Sequence, residues 1–70
     1  MKRKKVESSM IHSIGYDAKK KILELEFNTG SVWQYVDVSK NVFSELSKAK
    51  STGRYFLDSI KDVYEEYPIR

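Results

Sequence analysis

Seventy residues, of which 40% are apolar, give room for one small core and exclude a second domain. The absence of cysteine removes disulfides, thiolate metal sites and cysteine nucleophiles. The net charge of +3 is unevenly held: Lys2, Arg3, Lys4 and Lys5 leave nine basic against ten acidic residues in the rest of the chain.

Residues 1–8 are therefore expected to form a flexible basic N-terminal arm, and residues 9–70 a single domain. The arm is basic like the start of a signal peptide, but Glu7-Ser8-Ser9 follows where an apolar stretch would be needed. Tyr55-Phe56-Leu57 is the longest apolar run and is far too short to span a bilayer. The expectation is a soluble, cytoplasmic protein with no membrane partner. Five Tyr, three Phe and one Trp supply large rings, which bury much area at small entropy cost in a short chain.

The first predicted strand runs from Ser9 to Tyr16. Ile11 and Ile14 differ in parity, so either a bulge intervenes or the strand starts late. Lys19-Lys20-Lys21 reads as a charged turn. In the second strand Leu23, Leu25 and Phe27 alternate with Glu24 and Glu26, the period of a half-buried strand. Asn28-Thr29-Gly30 then suits a three-residue hairpin loop, with Gly30 at the left-handed position. That loop sets Leu25 opposite Trp33, Leu23 opposite Tyr35 and Glu24 opposite Gln34. One face becomes apolar and the other mostly polar. From Ser39, an N-cap type, Val42, Phe43, Leu46 and Ala49 recur at helical spacing. A second helix is predicted from Ser51, with Phe56, Ile60, Val63 and Tyr64 as its stripe and Pro68 as its stop. The expected fold is α+β: a three-stranded antiparallel meander followed by two short helices packed on one face.

Ile14-Gly15-Tyr16-Asp17, Phe27 with Gly30, Trp33-Gln34-Tyr35, Val38 with Val42-Phe43 and Leu46, Ser51-Thr52-Gly53-Arg54-Tyr55-Phe56, and Ile60 with Tyr64 occur in an order and spacing that resemble the KTSC domain. This domain occurs at the C-terminus of some lysyl-tRNA synthetases and as free-standing small proteins. The chain departs from the family pattern at Trp33, where the family usually has Tyr, at Ser39, often Pro, and at Leu57, commonly Asn. The resemblance implies the fold just derived and tilts function toward RNA binding; it implies no catalytic activity.

Several constellations carry two readings. Trp33, Tyr35 and Tyr55 are rings that build the core or, if bare, stack unpaired bases. Lys48, Lys50, Ser51, Thr52, Gly53 and Arg54 would open the second helix, where free N–H groups and charge suit an anion. The same residues also describe ordinary capping, with Gly53 giving room for packing and Arg54 pairing with Asp58. Lys2, Arg3, Lys4 and Lys5 are a phosphate-seeking arm or a solvated tail. His12 has no positioned serine and carboxylate, and no nucleophile–base pair, Walker loop or metal-ligand spacing appears. Asp58, Asp62, Glu65 and Glu66 read as the wet face of the last helix. No cofactor and no metal are expected. The sequence points to a non-catalytic binding module for RNA or another polyanion, through the arm and the start of the second helix. The alternative is a protein-interaction module, a homodimer or a partner chain at a sheet edge or at an open face around Val32 and Val36.

Overall fold

The computed structural model describes residues 1–70. Strands β1 (Arg3–Lys5), β2 (Ile11–Asp17), β3 (Ile22–Phe27) and β4 (Val32–Tyr35) precede helices α1 (Lys40–Lys48) and α2 (Thr52–Ser59), and β5 (Glu66–Pro68) closes the chain. All neighbouring strands are antiparallel, and they lie in sheet order β1-β2-β3-β4-β5. The α+β class and the meander followed by two helices are as the sequence implied. The sheet, however, has five strands rather than three.

The central hairpin takes the register that the alternation demands. Leu25 faces Trp33, Leu23 faces Tyr35 and Glu24 faces Gln34, while Gly30 turns the chain at φ 96°. In β2 the register shifts between Ile11 and Ser13. That bulge lets two isoleucines of unlike parity both reach the interior, where Ile11 and Ile14 are fully buried. Leu23, Leu25, Tyr35 and Val38 join them under Leu46 of α1 and Phe56 of α2, with Ile60 just beyond. Phe56 meets Phe27 and Tyr35 edge-on, at 5.4 and 5.8 Å between ring centres. Trp33 is half-buried against the same core. The rings therefore make the interior, and Tyr35 offers no platform to a base.

Four expectations need correction. The arm is not free: Arg3–Lys5 pairs with Ser13–Gly15 as β1. Nothing in Lys-Arg-Lys-Lys alternates in hydropathy; the strand exists because β2 offers an unpaired edge and Arg3 finds carboxylates across it. The second helix is shorter than its apolar spacing suggested. It ends at Ser59 with Ile60 as cap, and Asp62 then takes a left-handed turn at φ 64°, which Asp tolerates. Val63 is consequently 62% exposed, and Asp58, Asp62, Glu65 and Glu66 do not share a helix. Pro68 does not stop that helix but sits in edge strand β5, a place where a missing N–H is tolerated. Finally, Val32 is buried, at 3% exposure, with its backbone bonded to Ile69 and Arg70, so it presents no open apolar face. No helix is long and apolar enough to cross a membrane.

Candidate nucleic-acid interface

Strand parity divides the basic segment. Arg3 stands opposite Gly15, which stands opposite Glu24 and then Gln34, so these residues share the open face of the sheet. Lys4 stands opposite Ile14, which stands opposite Leu25, on the face the helices cover. Lys2 falls on that face too, two residues before Lys4.

On the open face Arg3 is committed to internal partners. One guanidinium nitrogen donates to Glu24 Oε2 at 2.7 Å and the other lies 3.7 Å from Glu26 Oε1. Gln34 Nε2 donates to Glu24 Oε1 at 2.9 Å, Ser13 Oγ donates to Glu26 Oε1 at 2.9 Å, and Arg70 approaches Glu26 Oε2 at 3.4 Å. The Ser13 hydrogen bond, opposed by desolvation and helped by the charges of Arg3, His12 and Arg70, holds the Glu26 carboxyl below its usual value. The open face is thus a closed network of acids and their donors. Gly15 makes it reachable, because a Cβ there would lie 2.6 Å from the Lys2 carbonyl oxygen and 2.9 Å from Arg3 Cγ.

On the other face Lys2, Lys4 and Lys40 rim a groove of about 400 Å³ whose walls include Ile14, Tyr16 and Phe43, with Arg3 also bordering it although its guanidinium is paired with Glu24. Tyr16 and Phe43 stack nearly parallel, 5.2 Å apart with 13° between their planes. The Tyr16 hydroxyl donates to the Val38 carbonyl. Burial, and then the neighbouring Asp17 carboxylate, raise its pKa, so it stays a donor and the ring is pinned. Ser39 caps α1 by accepting from the Val42 N–H, which puts Lys40 in the first turn with no acidic residue beside it. Lys2, Lys4 and Lys40 make no ion pair, whereas each of the three arginines does.

The start of α2 is built differently. Ser51 accepts from the Arg54 N–H, and Gly53 is buried with Ser8 Oγ 3.2 Å and Met10 Cβ 3.4 Å from where its Cβ would be. Thr52 is also buried. Capping and close packing therefore account for these residues. Arg54 pairs with Asp58 at 3.2 Å, and both are exposed. Lys50 and Arg54 do flank a second hollow of about 390 Å³ beside Ser8 and Ser9, but Glu7 lies in its lining. Lys48 is exposed in the last turn of α1 and Lys5 in β1, and neither borders a groove. The Tyr55 hydroxyl donates to Glu45, tying α2 to α1. No group of three His, Asp or Glu side chains has the arrangement of a metal site.

The groove is not legible in the sequence because Lys40 lies far along the chain from Lys2 and Lys4, and no periodicity links it to them. Two signals pointed to it: Gly15 inside a strand, which marks a close backbone approach, and the aromatic Tyr16 beside it.

Fold and surface together define a small α+β domain with one face of its sheet under helices and the other closed by ion pairs. The chain belongs to the KTSC domain family, whose model matches residues 7–64. The crystal structure of a KTSC domain protein from Yersinia pestis superposes with a TM-score of 0.96 at 35% identity, covering 99% of this chain and 97% of that one. An uncharacterized protein from Stutzerimonas stutzeri is 39% identical over 67 residues, 96% of this chain and 94% of its own length. A lysine–tRNA ligase from Nostoc punctiforme is 36% identical over 61 residues, 87% of this chain but 11% of the ligase. Lys2 and Lys4 lie outside the residues matched to the family.

Proposed function

We propose that this chain is a non-catalytic binding domain for RNA or another polyanion, with the edge groove as its main contact. The observation that carries this reading is the meeting of Lys2, Lys4 and Lys40, all unpaired, at one groove. Like charges gathered without counter-charges cost stability unless something outside the chain neutralises them. The occurrence of the same domain within lysine–tRNA ligases agrees with an RNA ligand. The hollow beside Lys50 and Arg54 plays the smaller part, since Ser51 is spent on capping and Glu7 opposes an anion there.

The test is the salt dependence of binding to a short single-stranded RNA, followed by fluorescence anisotropy. Three phosphate contacts at about −0.7 each predict a slope near −2 for log affinity against log salt. Changing Lys2, Lys4 and Lys40 to Ser together should flatten that slope toward zero, whereas Lys50→Ser should barely alter it. An unchanged slope in the triple variant rejects the groove as the contact.

A second reading, self-association, draws on the outer edge of β5, where Tyr67 and Ile69 are 48% and 53% exposed. A particle heavier than the 8.2 kDa chain in a dilute sizing run supports it; a monomer at every concentration removes it.

A further inference from the structure

We infer that the groove between β1 and α1 seats an unpaired nucleobase against the Tyr16–Phe43 ring pair, with Lys2, Lys4 and Lys40 on the flanking phosphates. The ligand is then a single-stranded nucleic acid, recognised through the flat face of a base as well as through charge. This deepens the polyanion reading and rests on it.

The groove contains more than charge. A polyphosphate needs ammonium groups and nothing more. Here the ammonium groups surround Ile14, Tyr16 and Phe43, an apolar wall that a purely ionic ligand would leave unused. The two rings are already parallel, at 13°. Tyr16 is fixed in that attitude by its bond to the Val38 carbonyl, and Phe43 by its place in α1, so little ordering remains to be done when a third flat ring arrives. Both rings are half-buried, which leaves part of each open to the groove. A cavity of about 400 Å³ lies at the small end of ligand-site sizes, enough for a base and its sugar and too little for a duplex. A duplex also hides its base faces within its own stack. Charge complementarity and an aromatic wall thus point to the same occupant.

The ligand decides the test without reference to any variant's folding. Affinities would be compared for a short single-stranded RNA, an abasic oligomer of the same sugar–phosphate length, a duplex RNA, and inorganic polyphosphate. A seated base should make the single strand bind about five- to 150-fold more tightly than the abasic oligomer. Phe43→Leu should erase that preference, and Phe43 ring protons should shift upfield with the RNA only. Equal binding of RNA, abasic oligomer and polyphosphate, or tighter binding of the duplex, overturns the base seat and leaves the polyanion reading standing. Failure of all four ligands to bind removes both.

Discussion

Gly15 decides more than its size suggests. Its role is steric: any side chain there meets the backbone of Lys2, which cannot rotate away as a flexible side chain would. Gly15→Ala should cost about 1–3 kcal/mol, the range for forcing an extra carbon into a packed site. Urea unfolding would read the loss, and hydrogen exchange should show it concentrated in the β1 amides. Titratable groups act on stability from both ends of the pH scale. The Ser13 hydrogen bond, with the nearby cations, keeps Glu26 ionised below its unfolded pKa of about 4.3. Its contribution is complete above that value and is lost as the pH falls through the lower folded one. Glu26→Gln should therefore flatten the acid limb of a stability–pH curve. Tyr35 works in the opposite direction. Burial first, and then the Glu66 carboxylate, raise its pKa above the unfolded value near 10. Stability is complete below about pH 10 and falls as the pH rises toward the folded value, because only the unfolded chain ionises freely. Ultraviolet titration should find the Tyr35 phenolate forming together with unfolding, and Tyr35→Phe should soften the alkaline limb.

At the scale of elements, β1 is the informative one, because adjacent residues in it do different work. Arg3 joins the open-face network, with Glu24 and Glu26 as its partners, while Lys4 points to the groove side. Arg3→Ser should lower stability by roughly 1–2 kcal/mol, since a partly buried carboxylate loses a charged donor. Lys4→Ser should leave thermal stability nearly unchanged and weaken RNA binding with a shallower salt slope. If both substitutions act alike, β1 does not divide its side chains between the two faces in this way. Elements with an internal period were legible from sequence: Leu23-Glu24-Leu25-Glu26-Phe27 declares a strand and its buried face, and the three-residue loop ending at Gly30 fixes the register with Trp33. The parity of two isoleucines left a bulge or a late start of β2 open, and the register shift between Ile11 and Ser13 is the bulge. Edge strands were not legible. Lys-Arg-Lys-Lys and Glu-Tyr-Pro carry no alternation of their own; they become strands because β2 and β4 leave hydrogen-bonding edges to be filled. The stripe Ile60, Val63, Tyr64 matched a helix by spacing, yet Asp62 turns the chain so that β5 can reach β4.

For the whole molecule, the two faces of the sheet divide the labour. One buries rings and aliphatic groups beneath α1 and α2, as the count of aromatics in so short a chain required. The other is a lattice of two glutamates with arginine, serine and glutamine donors, satisfied internally and so poorly disposed to bind anything. Positive charge left over by that arrangement is borne by lysines, three of which meet at the mouth of an aromatic groove. Net charge read from sequence located the surplus in the first five residues but could not split it between faces, since the split depends on pairing with β2. The α2 start looked like an anion site because caps and anion sites share residue types; packing of Gly53 on Ser8 and Met10 distinguishes them. The most direct test of the account is an amide and aromatic NMR titration of the full chain with a short single-stranded RNA. Shifts should gather at Lys2, Lys4, Ile14, Tyr16, Lys40 and Phe43 and spare Glu24, Glu26 and Gln34. A perturbed surface centred on the open face or on Arg54, with the groove silent, would contradict it.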